Sequence, residues 1–232
     1  MTADEMKLVD YTVSDGIAVI VMDDGKVNAL SPRMLGAVNA ALDRADDDRV
    51  NALVLAGRPG RFSAGFDLDV LRAGGPEAEG MLRSGFQLAE RLLGGPRPVV
   101  TACTGHAIAM GAFLVCAGDF RVGAAGPFKI QANEVAIGLP MPHPAIAILR
   151  HRLTPSAFDR AVGLAEAWTS GDAVAVGWLD CVVEPAAVMH TALEVAASFG
   201  GLDPAAHRES KLRARATVLV EVRRGIESEF SS

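Results

Sequence analysis

Three short apolar runs constrain this chain more than any other feature: Ile17 to Met22, Ala52 to Ala56 and Pro98 to Cys103. A half-exposed strand alternates apolar and polar side chains because successive residues face opposite sides. A continuous apolar run therefore reads as a strand covered on both faces. Between the runs lie helical stretches with written starts. Ser31-Pro32, Thr154-Pro155 and Asp203-Pro204 each place a capping side chain before a proline, whose missing N–H is no loss in the first helical turn. Periodicity predicts a helix from Pro32 to Asp46 with Met34, Ala37, Val38, Ala41 and Leu42 on one stripe. A second, from about Glu77 to Leu93, turns Met81, Leu82, Phe86, Leu88, Ala89, Leu92 and Leu93 inward. Strand and helix alternate to about residue 140. Beyond Pro144 helices are expected to dominate, apart from a short strand at Cys181 to Glu184. The expectation is an α/β core over residues 1–199 and a helical tail over 200–232, the tail built on one helix from Pro204 to about Glu229. Its Lys211, Arg213, Arg215, Arg223 and Arg224 read as a solvated face.

At 232 residues the chain can bury roughly 70 to 75% of its unfolded surface, so a core needs neither disulfides nor a structural metal. The 22 Lys and Arg against 28 Asp and Glu leave a net charge of −6, which argues against nucleic acid as a partner. Cys103, Cys116 and Cys181 lack metal-ligand spacing and fit buried free thiols of a reducing, cytoplasmic setting. The charged stretch Met1 to Asp10 has no apolar leader, and the longest apolar run, Ala107 to Ala117, is too short to cross a bilayer. No membrane insertion is expected.

The chemistry concentrates in two glycine-bearing turns, each leading from a buried strand towards an apolar helix. The first runs from Gly57 to Leu68 and contains Arg61-Phe62-Ser63-Ala64-Gly65-Phe66-Asp67-Leu68; the second runs from Thr104 to Phe113. Backbone N–H groups at a helix start are unpaired donors, and two such turns face to face can hold one developing negative oxygen. Neither turn carries a dinucleotide, nucleotide or serine-hydrolase signature. Ordinary strand-to-helix loops remain the alternative for either turn taken alone.

The two turns resemble those of the crotonase (enoyl-CoA hydratase/isomerase) superfamily. Two further segments extend the resemblance over essentially the whole chain: Asn133-Glu134-Val135-Ala136-Ile137-Gly138-Leu139-Pro140 and the earlier Asn28-Ala29-Leu30. The resemblance implies an α/β, crotonase-like spiral of strand-strand-helix turns, a C-terminal helical tail used in trimerisation, and a homotrimer or dimer of trimers. It also implies an acyl-CoA thioester as substrate, with no metal or other cofactor. Carried over position by position, the oxyanion donors are the backbone N–H groups of Phe66 and Met110, each worth about 3 kcal/mol in the transition state.

The acid/base group departs from the hydratase pattern. Hydratases of the superfamily use two glutamates; the first position falls here on Phe113 and the second on Glu134. Adding water is helped by two carboxylates, whereas moving a proton along a 3-enoyl thioester needs one base that takes it and returns it. The resemblance therefore implies Glu134 as the single acid/base, its pKa raised by an apolar wall including Phe113. Pairing of Glu134 with a basic residue is the competing reading. For CoA, the resemblance points to Ala64, Asp67 and Leu68 for the adenine and to Lys26, Arg58 and Arg61 near the phosphates. His143 is a candidate for the acyl pocket beside Phe113. His106, Asp119, Cys103 and Cys116 are expected to be structural. A non-catalytic acyl-CoA binding protein and another thioester reaction, such as hydrolysis or decarboxylation, stay open.

Overall fold

The structure is a computed structural model that describes residues 7–230. The start of the charged N-terminal stretch, residues 1–6, lies outside the described residues. Strand β1 (Val9–Ser14) forms a hairpin with β2 (Ile17–Met22), and from β2 onwards the chain runs through four units built on strand, strand and helix, the second with an extra strand and an extra helix. The first unit is β2, β3 (Ala29–Leu30) and α1 (Pro32–Asp47). The second is β4 (Ala52–Ala56), β5 (Gly60–Ser63) and β6 (Gly65–Phe66), with helices α2 (Leu68–Ala73) and α3 (Gly75–Gly94). The third is β7 (Val99–Cys103), β8 (Gly105–Ile108) and α4 (Met110–Ala117). The fourth is β9 (Phe120–Ala124), β10 (Lys129–Gln131) and α5 (His143–Arg152), with a 3-10 turn at Val135–Ile137 before the helix. Helix α6 (Pro155–Leu164), β11 (Ala167–Thr169), α7 (Ser170–Val176), β12 (Cys181–Val183) and α8 (Val188–Ser198) follow. The expected spiral is thus present.

The first strands of the units align in a six-stranded sheet, β1-β2-β4-β7-β9-β12, parallel except at β1. The second strands β5, β8 and β10 form a separate sheet with β11, in the order β11-β10-β8-β5, while β3 pairs with β6. The continuous apolar runs are explained by the two sides of the large sheet. Leu53 and Leu55 of β4 face the core beneath α1 and α3, while Ala52, Val54 and Ala56 face α8 through Val188, Ala192 and Ala196. Every residue of β4 and β7 is buried. Helix α4, apolar all round, is buried throughout, as such a helix must be. Its last carbonyls are taken by the Arg152 guanidinium, which donates to Cys116 and Gly118, and by the Thr101 hydroxyl, which donates to Val115.

Ser31 and Asp203 cap their helices as the sequence suggests, accepting from the Met34 and Ala206 N–H groups; Thr154 precedes α6 without a side-chain cap bond. Three expectations need correction. The stretch after Pro144 contains β11, whose three residues pair with β10 and are too few to show a period. The tail is two helices, α9 (Pro204–Ala214) and α10 (Ala216–Glu229), broken at Arg215. The basic run is not uniformly solvated either. Lys211 and Arg215 are buried because both turn inward onto Asp119, at 2.7 and 2.8 Å.

Candidate active site

The site is assembled by the loops at the ends of β2, β5, β8 and β10. Asn28 holds the first of them in place. It is fully buried with φ +54°, and its side-chain amide donates to the carbonyls of Met22 (2.9 Å) and Phe62 (3.1 Å) while accepting from the Asp24 N–H (3.0 Å). Ser63 continues the clamp, donating to the Asn28 carbonyl (2.7 Å) and accepting from the Gly65 N–H (3.1 Å). Gly65 then adopts φ +89°, and a β-carbon there would lie 2.9 Å from that of Ala109 and 3.4 Å from the Met110 amide nitrogen. Only glycine fits that backbone and that gap. The contact sets the first turn, at the residue before Phe66, directly against the start of α4 at Met110.

Met110 opens α4, so its N–H has no carbonyl of a preceding turn to bond. The residue before it, Ala109, has φ +50° and ψ −125°, a conformation that costs a non-glycine residue about 1–3 kcal/mol. Hydrogen bonds over-determine it: its N–H donates to Gln131 (2.8 Å) and its carbonyl accepts from Ala112 (2.9 Å) and Phe113 (3.2 Å).

Glu134 follows Gln131 by three residues, so its backbone lies within about 10 Å of the Gln131 carbonyl that receives the Ala109 N–H. The side chain is buried, its Oε2 has no hydrogen-bond partner, and it forms no ion pair among the described residues. Burial pushes its pKa up to about 7, opposed by a hydrogen bond from its own backbone. Pairing with a basic residue, the competing reading, is thus absent. The neighbouring Asn133 Oδ1 is likewise buried and unpartnered. Phe113, at the other expected carboxylate position, is fully buried and stacks on Phe86 with centroids 6.1 Å apart.

The remaining sequence candidates divide into two groups. Lys26, Arg58 and Ala64 come together: the Ala64 N–H donates to Val27, and Arg58 donates to the Lys26 carbonyl while lying 3.6 Å from Asp23. Asp67 spends its carboxylate on capping α2, accepting from Asp69 and Val70, and Leu68 is exposed. Arg61 lies instead beside His106 and Lys129. Partial burial and these two cations hold the His106 pKa below the usual range, and its Nδ1 accepts from the Lys129 N–H (3.0 Å). His106 is structural in this arrangement. His143, read as an acyl-pocket residue, presents its ring to solvent, 70% exposed, with Nε2 3.6 Å from Glu229 of the tail. It occupies the first position of α5, which turns the side chain towards α10.

Two features escaped the sequence. The Asn28 clamp has no signal beyond its place in a matched motif. Phe66, Phe86, Phe113 and Phe230 form one aromatic group although they come from β6, α3, α4 and the chain end. Only Phe86 and Phe113 sit in patterns that announce burial. A cavity of about 590 Å³ lies elsewhere, between Arg49, Pro96, Pro98, Phe199 and His207, and includes none of the candidate residues. Among the described residues no group of three His, Cys, Asp or Glu side chains is placed to hold a metal, and no helix is long and apolar enough to cross a membrane.

The fold recurs in proteins of known family. A solved structure described as the probable enoyl-CoA hydratase EchA3 of Mycobacterium tuberculosis is 53% identical, with TM-score 0.93 over 96% of this chain and 94% of that one. Another, described as an M. tuberculosis enoyl-CoA isomerase, has the same identity and TM-score over 96% and 99%. A probable enoyl-CoA hydratase, EchA17 of Mycobacterium avium, is 31% identical over 227 residues, 94% of this chain and 86% of that protein. The family model for enoyl-CoA hydratase/isomerase matches residues 12–229, and this chain belongs to that family.

Proposed function

We propose that the protein isomerises 3-enoyl-CoA to 2-enoyl-CoA thioesters, with Glu134 as the only acid/base. The observation that carries this reading is the pairing of a buried Glu134, whose Oε2 has no partner, with a core phenylalanine, Phe113, at the first carboxylate position. In the scheme the Glu134 carboxylate takes a proton from the α-carbon. The electron pair moves into the thioester, and the resulting enolate oxygen is held by the N–H groups of Phe66 and Met110. Glu134 then returns the proton to the γ-carbon, and the double bond ends conjugated with the carbonyl. No cofactor enters the scheme.

Lys26 supports the CoA assignment best among the cations. Its exposed ammonium has no partner among the described residues, whereas Arg58 is shared with Asp23. In this reading Ala64 and the nearby Asp67–Leu68 turn meet the adenine, and Arg61 is left for the outer phosphate. Cys103, Cys116 and Cys181 are free thiols, two of them buried, and a reducing, cytoplasmic setting is the reading that suits them.

The test is to incubate wild type and Glu134→Gln with trans-3-hexenoyl-CoA and with crotonyl-CoA, following product chemistry. Isomerisation is expected to exceed hydration in the wild type, and to fall by about 10²- to 10⁴-fold in the variant. An undiminished rate in a folded Glu134→Gln protein would sink the assignment. Tight binding without turnover would favour an acyl-CoA binding protein.

A further inference from the structure

The cavity of about 590 Å³ that holds none of the candidate active-site residues is walled by four segments: the turn after α1, the turn before β7, the turn after α8 and the start of α9. Its size falls within the range of about 300–1,000 Å³ found for small-molecule sites. Arg49, Arg97, Arg208 and His207 line it, with Glu209 as the one carboxylate. Pro96, Phe199 and Leu202 supply apolar lining, and Leu202 is 48% exposed.

The charges in this lining are not equally spent. Arg97 donates through Nε to the Val50 carbonyl (2.7 Å) and pairs with Asp46, while Glu209 pairs with Arg213 at 2.9 Å. The side chains of Arg49 and Arg208 make no hydrogen bond or ion pair among the described residues. Two positive charges are thus left over in one cavity. Arg49 also follows Asp48, the C-cap of α1, and has φ +53°, at the position where helices commonly end on a left-handed glycine. Arginine is strained there as glycine would not be, and the side chain it adds is one of the two free cations. His207 contributes an unmet polar group, a half-buried ring whose Nε2 is buried without a partner. Burial holds its pKa below the usual range, opposed by the Asp119 charge and helped by Lys211 and Arg215, so the ring does not count as a third cation.

We infer that this cavity binds a phosphate monoester with an apolar or aromatic body, of about the size of a mononucleotide. Such an ester carries about 1.5 to 2 negative charges at neutral pH, which matches the two unspent guanidinium groups. The guanidinium fork suits phosphate oxygens, and the body of the ligand meets Pro96, Phe199 and Leu202. None of these residues takes part in the Glu134 scheme, and the inference does not depend on it.

The experiment titrates AMP, inorganic phosphate and adenosine by calorimetry into wild type, Arg49→Gln, Arg208→Gln, the double variant and Lys26→Gln. Both arginines are exposed, so these variants are expected to fold. AMP should bind the wild type more tightly than phosphate does, and adenosine should bind most weakly. Each single arginine replacement is expected to weaken AMP binding about tenfold and the pair about a hundredfold. Lys26→Gln should leave it unchanged, because Lys26 lies outside the cavity. The His207 ring signals in a proton NMR spectrum, assigned against His207→Gln, should move when AMP is added. Equal AMP affinity in wild type and the folded double variant would overturn the inference. So would the absence of AMP binding at millimolar concentration, adenosine binding as tightly as AMP, or AMP binding that is lost in Lys26→Gln and kept in the double variant.

Discussion

A carboxyl buried with one oxygen unpartnered, as in Glu134, ionises less readily than in water because nothing replaces the lost hydration. Between its ordinary value of 4.5 and its raised value of about 7, the folded protein holds a proton there that the unfolded chain has released. The stability this contributes is fully present below about 4.5 and is lost as pH rises through about 7. Glu134→Gln is therefore expected to be more stable than wild type at about pH 8, by up to about 3 kcal/mol, and to lose that advantage near pH 4. Urea denaturation at the two pH values checks it. Activity has the opposite slope: kcat/KM should rise with pH and reach half its plateau at about 7, where the free carboxylate appears. A profile flat from about pH 5 to 8 would exclude a base held near 7 by burial. The identity of this residue is legible in Asn133-Glu134-Val135, but its missing partner is not. A missing contact depends on what every other element brings near.

At the scale of elements, the tail shows how a sequence pattern misleads. Lys211 and Arg215 are four residues apart and look like any exposed basic stripe, while their anion, Asp119, is 92 residues from Lys211. Asp119 accepts from the Val99 N–H (2.7 Å), from Lys211 and from Arg215; Lys211 also donates to Arg97 (3.0 Å) and Arg215 to Leu93 (2.9 Å). Burial lowers the pKa of both cations, and the Asp119 charge pulls each back. Asp119→Asn leaves two buried cations without an anion and should cost about 3 kcal/mol or more. Loosened helices α9 and α10 should then be cut first in limited proteolysis. Unchanged denaturation and cleavage would show that the apolar contacts of α10 hold the tail alone. The four-residue step also accounts for the helix break, because Arg215 reaches Leu93 and Asp119 from a non-helical φ of −106° and ψ of 9°.

For the whole molecule, the surface next to the site is as informative as the core. Val135, Ile137 and Leu139 expose about half of their side-chain area directly after Glu134, and Leu164 of α6 is 73% exposed. Scattered single apolar residues need no explanation, but a group in one region marks an interaction face. A homotrimer or dimer of trimers would cover it. Light scattering of the purified protein should give three or six copies, and Leu164→Asp should weaken that assembly; a monomeric wild type would remove the interpretation. The sequence by itself determined the strands that are buried on both faces, the first helices with their caps, the two glycine turns and Glu134. Each of these is written in neighbouring residues, as a period, a cap or a spacing. Tertiary structure alone decided that Lys211 and Arg215 are buried, that Asn28 clamps the first turn, that His143 faces solvent and that Phe230 stacks on Phe86. These outcomes depend on contacts between residues far apart in the chain, such as Phe230 and Phe86 or Arg215 and Asp119. No local pattern encodes them, because which distant groups meet is set by the packing of the completed spiral.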